Sequence, residues 1–347
     1  MTRPTSLFCS DMAEPFEVVD PTQQSRFDSP SNPAFVVAIV ATYNRKRELA
    51  DLLELLSETP GLRSLVVADD MADPEVRELV SGARIEAYYL ATANQGPGSA
   101  INRAIKFARE TWGESITHYW MFDDDVRFAP DILQKMLAAM ADNKAQLVAP
   151  IITSPPGGVF AWPELKSRAA RRLFSTKNRN DPARFGEGID PHNLPEIQAC
   201  MATCYLMERV CYDRVGGQRE DFWLIGDDVE FTARICRKFR AVCSPHIAVD
   251  HFWGSPFDPR SDKRSTYLKG CAALQNNLFL LLHVLRTRYI LRSFLGSLKR
   301  FLRLHLRSRA AAYDLLCILW NASVRRQPAG ARFGQVLRER RRDYEPP

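Results

Sequence analysis

Between residues 35 and 152, short apolar runs alternate with segments whose leucines and alanines recur at helical spacing, and this restricts the fold more than any other feature. Residues 35–41, 64–68, 85–90, 119–122 and 147–152 read as strands. Their near-continuous apolar composition suits strands covered on both faces. Residues 45–56, 74–80, 99–112 and 131–140 read as the intervening helices, Pro74 falling where a helix start tolerates it. Such alternation predicts an α/β fold, a mostly parallel sheet flanked by helices. Ligands of such sheets bind at the carboxyl ends of the strands. Polar residues stand at those ends: Thr42-Tyr43-Asn44-Arg45, Asp69-Asp70, Asn94-Gln95-Gly96 and Asp123-Asp124-Asp125. Four strands are thus expected to deliver polar groups to one rim.

The flanking regions read differently. Residues 1–33 are rich in Pro, Ser, Asp and Gln without periodicity and are expected to be a flexible leader. Residues 154–196 lapse into Pro, Gly, Arg and Asn, a loop long enough to suggest a functional role. Order is expected to resume at 198–207, with a helix over 228–239 and a strand over 241–251. Residues 267–342 are helical in pattern and increasingly basic. The chain of 347 residues carries a net charge of +6, and the excess is concentrated. From Arg286 to Arg309 there are eight Lys or Arg and no acid, a block that points to an anionic partner. Leu278, Leu281, Leu285, Leu291, Leu295, Leu298 and Leu302 recur among these charges at three or four. They suggest one amphipathic helix, either packed on the domain or resting on anionic lipid, the second being the reading preferred here. No apolar run approaches the ~20 residues that span a bilayer. The start of the chain lacks secretory character, so a cytoplasmic protein is expected, peripheral at the inner face of the cell membrane. The eight cysteines stand mostly in apolar stretches without zinc-site spacing and read as free buried thiols.

Chemistry concentrates in two acidic clusters. Asp123, Asp124 and Asp125 close an apolar strand, where mutual repulsion and desolvation favour a neutralising cation. Oxygen donors of this kind suit Mg²⁺ or Mn²⁺. Alternation along an extended segment lets Asp123 and Asp125 face one way and Asp124 the other. The second cluster, Gly226-Asp227-Asp228-Val229-Glu230, opens a helix whose dipole favours carboxylates, and one of its acids could serve as a general base. Trp223 just before it could stack on a sugar. Asp250-His251 ends a late strand, and an imidazole could complete a carboxylate metal site. Gly96 and Gly98 at a helix start let backbone N–H groups approach a phosphate, although neither a dinucleotide fingerprint nor a P-loop is present.

Taken in order, these segments resemble the family 2 glycosyltransferases over about residues 35–255. Residues 37–45 resemble the family's opening strand and nucleotide-contacting turn, and 66–70 the second-strand acid that recognises the base. Residues 94–102 resemble its N-x-G-x-x-x-A-x-N stretch, and 122–130 its metal-binding D-x-D with a downstream proline. Residues 223–234 followed by Asp250-His251 are similar to the bacterial galactofuranosyl- and rhamnosyltransferases. The resemblance implies a GT-A (Rossmann-like) fold followed by a C-terminal helical region. It divides the chain into a leader (1–33), a catalytic domain (34–265) and a basic helical region (266–347). The catalytic domain itself comprises a nucleotide-sugar half (34–152) and an acceptor half (153–265).

For the site, the resemblance implies donor contacts from Thr42, Asn44, Arg45, Asp69, Asp70, Asn94, Gly96, Asn102, Asp123 and Asp124, with Trp223 at the acceptor. Asp123, Asp125 and His251 would hold Mn²⁺ or Mg²⁺, and Asp228, with Asp227 as the alternative, would be the base. The implied reaction is inverting transfer from a nucleoside-diphosphate sugar (UDP- or dTDP-linked galactofuranose or rhamnose) to a glycan or lipid-linked glycan, with no nucleic acid involved. The strand-two turn departs from the family pattern: it reads Asp69-Asp70-Met71-Ala72-Asp73, leaving open which acid meets the base. A nucleotidyltransferase and a non-catalytic nucleotide- or nucleic-acid-binding protein are the alternatives. The paired acidic clusters count against the non-catalytic one.

Overall fold

The computed structural model describes residues 34–92, 96–154, 159–161, 164–167, 186–222, 225–252, 263–305, 309–324, 326 and 328. Strand β1 (Val36–Thr42) explains the architecture, because its side chains alternate between two separate cores. Val37 and Ile39 join one core; Val36, Ala38 and Val40 join the other. A strand buried on both faces must be central, and β1 lies between β2 (Leu62–Asp69) and β4 (His118–Asp123), parallel to each. Strand β3 (Ala87–Ala91) closes that edge against β2.

The sheet continues beyond β4. The two-residue β5 (Val126–Arg127) follows β4 in the chain, and β6 (Leu147–Thr153) carries β7 (Val159–Ala161) on its flank. Strands β8 (Glu164–Leu165) and β9 (Ile197–Ala199) form a small separate pair. With β10 (Cys204–Glu208) and β11 (Ala241–His251), the main sheet runs β3-β2-β1-β4-β10-β6-β11-β5. Its longer strands share one direction except β10, which runs antiparallel between β4 and β6. An all-parallel continuation through residues 198–207 would have placed this segment's ends at the opposite rims.

Helices cover both faces. On one side, α1 (Lys46–Ser57) buries Leu49, Leu52, Leu53 and Leu56, and α2 (Pro74–Ser81) adds Val76 and Val80. Each leucine removed from water contributes about 1.5–3 kcal/mol relative to exposure. Asp73 caps α2 by accepting from the Glu75 N–H at 2.9 Å, with Pro74 at the first turn. On the other side, α3 (Pro97–Trp112) lays Ala100, Ile101, Ala104, Ile105 and Ala108 against the sheet. Helix α4 (Ile132–Asn143) joins the α1 side, while α5 (Arg209–Val215) and α6 (Asp227–Lys238) join α3.

The C-terminal leucine repeat does not form one helix. Helix α7 (Lys263–Phe279) ends in a π turn (Leu280–Val284), and α8 (Arg288–His305) and α9 (Arg309–Ser323) follow. Leu278, Phe279, Leu280, Leu285 and Ile290 pack with Ala199, Phe222 and Ala233 of the preceding fold. Periodicity alone could not reveal the break, since residues on both sides of it are leucine-rich. This region is therefore packed on the sheet-bearing part, whatever else its exposed face does. Among the described residues no helix is long and apolar enough to cross a membrane. The seven cysteines described are all free, and six are buried.

Candidate active site

Strand register assembles the rim. In the β2-β1-β4 pairing Thr42 lies opposite Asp69 and Ala41 opposite Asp123, so the polar strand ends share one row. The third element is β5, whose two residues pair antiparallel with the end of β11, His251 opposite Val126. The Phe252 N–H also donates to the Asp125 carbonyl at 2.9 Å. This short ladder brings a residue from the end of β11 back to the acidic triplet.

Asp125 and His251 are both buried, and His251 Nε2 lies 3.0 Å from Asp125 Oδ1 and 3.8 Å from Asp123 Oδ2. One donor atom each from Asp123, Asp125 and His251 falls within a sphere of mutual distances under 4.8 Å. Asp124 points elsewhere: it accepts from the Thr42 hydroxyl at 2.7 Å and from Arg45 at 3.1 Å. Arg45 also donates to Asp125, so one guanidinium bridges two carboxylates.

Electrostatics follow from burial. Desolvation pushes Asp123 up to about 6, with the charges of Asp125 and Asp228 adding and His251 opposing. Burial drives Asp124 to about 7 despite Arg45 and Thr42. Burial would raise Asp125 too, but His251 and Arg45 overcome it and hold its carboxyl below the usual range. Burial disfavours the His251 cation, yet Asp125 and Asp123 raise its pKa above the ordinary value.

In the second acidic cluster, burial raises Asp227 and Asp228, which are adjacent, and Asp123 acts on Asp227 as well. Among the described residues, the cations that act on Asp123, Asp124 and Asp125 are Arg45 and His251, while Asp228 adds negative charge beside Asp123 and Asp123 acts on Asp227. Such a surplus of negative charge, with Asp124, Asp125 and Asp227 buried, fits a divalent cation, and a mixed carboxylate–imidazole set suits Mn²⁺ at least as well as Mg²⁺.

A pH dependence follows. Groups whose folded pKa is raised contribute stability that is present at low pH and lost as pH rises through the folded value. Asp123, Asp124, Asp227, Asp228 and His251 all shift upward, while the depressed Asp125 adds no slope above about pH 5. His118, which desolvation lowers to about 4, is one group opposing these five and does so only below about pH 6.5. The metal-free protein is therefore expected to melt higher near pH 5 than near pH 8, with loss through pH 6 to 7. Mn²⁺ at pH 8 should restore the difference. Melting curves in EDTA and in Mn²⁺ across that range check this; a melting temperature in EDTA that climbs toward pH 8 contradicts it.

Other expected donor residues have local partners. Asp69 is fully buried and accepts from the Met71 and Asp73 N–H groups at 2.9 and 2.6 Å, fixing the turn after β2. Asp70 accepts from the Thr92 hydroxyl at 2.7 Å and from the Gly96 N–H at 2.9 Å, tying that turn to the start of α3. Gly96 adopts φ +98°, a conformation glycine accommodates without steric cost. Asn44 sits on the open turn at φ +56°. Asn102 donates to the Gln218 carbonyl at 2.8 Å and to Glu220 at 3.2 Å, and accepts from the Gln218 N–H at 2.8 Å. Its amide therefore braces the loop before the second acidic cluster. Asn94 and Trp223 lie outside the described residues.

Asp228 accepts from the Ala202 N–H at 2.9 Å and from the Val229 N–H at 2.7 Å, which fix its carboxylate at the start of α6. The supports of this turn escaped the sequence reading. Asn276 of α7 donates to the Ile225 carbonyl at 2.7 Å. Leu280 covers Gly226, whose φ is +87° and where an added Cβ would meet Leu280 Cδ1 at 2.8 Å. Only the glycine in the Gly-Asp-Asp run hinted at such crowding. Asn276→Ala would leave a carbonyl unpaired, and Gly226→Ala would combine strain with a clash. Each is expected to cost about 1–3 kcal/mol of stability and to lower turnover more than donor affinity. Denaturant titration with donor binding and turnover measurements checks this; unchanged turnover in both variants would remove the C-terminal region from the site's support.

Comparisons with known proteins agree with this geometry. The model of glycosyl transferase family 2 matches residues 37–209. The chain is 28% identical over 206 residues to galactofuranosyltransferase GlfT1 of Mycolicibacterium smegmatis, covering 58% of this chain and 65% of that one. It is 27% identical over 176 residues to the N-acetylglucosaminyl-diphospho-decaprenol L-rhamnosyltransferase of Mycobacterium tuberculosis, covering 47% and 53%. The chain thus matches between about half and two thirds of the length of these curated relatives. Among solved structures, Staphylococcus aureus TarS 1–349 shares the fold with a TM-score of 0.53 at 15% identity, over 84% of this chain and 82% of that one. Its complex with UDP-GlcNAc gives a TM-score of 0.51 at 14% identity, over 87% and 83%. The fold is that of the GT-A glycosyltransferases, and through residues 37–209 the chain belongs to glycosyl transferase family 2.

Proposed function

We propose that the protein is an inverting, metal-dependent transferase that moves a sugar from a UDP- or dTDP-linked donor to a hydroxyl of a glycan or lipid-linked glycan. Galactofuranose and rhamnose are the sugars, a reading supported by the relatives' names. The observation that carries the reading is the clustering of donor atoms from Asp123, Asp125 and His251, with Asp228 close enough to act on Asp123 and Asp123 on Asp227. Asp123, Asp125 and His251 would hold Mn²⁺ or Mg²⁺, which when bound supplies charge stabilisation for a leaving diphosphate. Thr42 and Arg45 fix Asp124 beside them, and Asn44, Asp70 and Gly96 line the turns where the nucleotide would lie.

Asp228 takes the proton from the acceptor hydroxyl as that oxygen bonds to the anomeric carbon. The bond from that carbon to the diphosphate breaks, and the nucleoside diphosphate leaves. No covalent enzyme intermediate is needed. The test is product analysis with UDP- and dTDP-sugars, Mn²⁺ and a polyprenyl-linked or short soluble glycan. Release of nucleoside diphosphate with a glycosylated acceptor supports the reading. Release of pyrophosphate from a nucleoside triphosphate would make the protein a nucleotidyltransferase. Donor-dependent stabilisation against heat reports nucleotide binding independently of turnover.

A further inference from the structure

Eleven large apolar side chains are exposed among the described residues, and seven of them lie between Leu291 and Val324: Leu291, Leu295, Leu302, Tyr313, Leu316, Trp320 and Val324. The remaining four are scattered over more than two hundred residues. Such concentration differs from the singly scattered exposed hydrophobics of an ordinary surface.

On helix α8 the exposed apolar residues form one of three parallel rows. Ile290, Phe294 and Phe301 face the packed core, Ile290 and Phe301 fully buried and Phe294 partly so. One residue further on, about 100° around the helix, run Leu291, Leu295, Leu298 and Leu302. Leu291, Leu295 and Leu302 are 41%, 51% and 40% exposed, and Leu298 is half-buried at the border. Another residue further run Arg288, Arg292, Lys299 and Arg303, all exposed. The helix carries no acidic residue.

A solvated basic face alone would not explain a leucine row left uncovered beside it, and a purely apolar contact would not explain an acid-free row of cations. Both are needed by a surface that is apolar beneath and anionic above. We infer that α8 docks the protein on an anionic lipid bilayer, its leucine row entering the headgroup boundary and its basic row meeting lipid phosphates. The neighbouring α9 exposes Tyr313 and Trp320, amphipathic rings of the kind enriched at such interfaces. Because Leu278, Leu285 and Ile290 pack with Ala199, Phe222 and Ala233, the bound helix would stay joined to the sheet-bearing part. The inference does not depend on the identity of the donor or acceptor.

The test is sedimentation of the full chain with vesicles of phosphatidylglycerol and phosphatidylcholine, against phosphatidylcholine alone. Binding to the anionic vesicles only is expected. Arg292→Glu, Lys299→Glu and Arg303→Glu together should lower the partition by about 100-fold or more. Leu291→Ser, Leu295→Ser and Leu302→Ser together should lower it by roughly tenfold and remove the part that resists salt. Both variants should keep the parental melting temperature and donor hydrolysis, since none of these side chains is buried.

Equal sedimentation with both vesicle types overturns the inference. So does retention of anionic-vesicle binding by the charge-reversed protein. If the leucine variant converts a dimer to a monomer without changing vesicle binding, the face is a subunit contact instead. If it binds duplex DNA as tightly as the parent while vesicle binding is absent throughout, the basic row serves a nucleic acid.

Discussion

Replacing Asp125 by asparagine is expected to abolish Mn²⁺ binding and to lower sugar transfer by roughly 10³-fold or more, the scale of a lost metal contribution of several kcal/mol. Asp125 is the carboxylate of the triplet that stays ionised across the neutral range, because His251 and Arg45 hold its pKa down. Asp123 and Asp124 are pushed up instead and need a cation to ionise fully. Asp125 therefore anchors the site. It is also part of the fold: its side chain is only 1% exposed, and both its oxygens face cations. Truncation to alanine would strand Arg45 and His251 without it, and breaking a buried pair costs about 3–5 kcal/mol. The amide keeps the shape and one acceptor oxygen, so it separates loss of metal from loss of structure. Calorimetric Mn²⁺ titration and transfer assays on the folded variant provide the measurement. Full transfer by Asp125→Asn, with metal chelated, would remove the triplet from the chemistry.

What could be read from the sequence was whatever local pattern encodes. Strands β1, β2, β4 and β6 are buried on both faces, so their apolar runs stood out and their polar ends marked the rim. The direction of β10 could not be read, since a strand's side-chain alternation is the same whichever way it runs. The pairing of β5 with β11 rests on two residues, too few to leave a pattern, yet it carries His251 to Asp125. Asn102 matched a family motif, and that resemblance alone implied a donor contact. Only tertiary packing shows its amide bonded to Gln218 and Glu220. In the C-terminal region the leucine repeat mixes residues of opposite fate, Leu278 and Leu285 in a core and Leu291 and Leu302 exposed. Hydropathy cannot separate them, because both obey the same spacing.

Asp228→Asn is expected to lower turnover by about 10²–10⁴-fold while leaving Mn²⁺ and donor binding close to the parent. The amide cannot accept the acceptor's proton, and it also loses one of the two N–H contacts from Ala202 and Val229 that orient the carboxylate. Asp227 is the competitor for the role. It is buried at 5% exposure, with its Oδ2 about 3.5 Å from where a Cβ on Gly98 would stand, facing the start of α3. The two acids are close enough to shift each other, which separates the variants. If Asp228 is the base, activity should rise with pH through the raised pKa of the pair, and Asp228→Asn should erase that limb. Asp227→Asn should instead remove a neighbouring negative charge, so the limb moves to lower pH while the plateau rate survives. The pH profiles of kcat for the two variants decide between them. A lost limb in Asp227→Asn beside a shifted one in Asp228→Asn would exchange the two assignments.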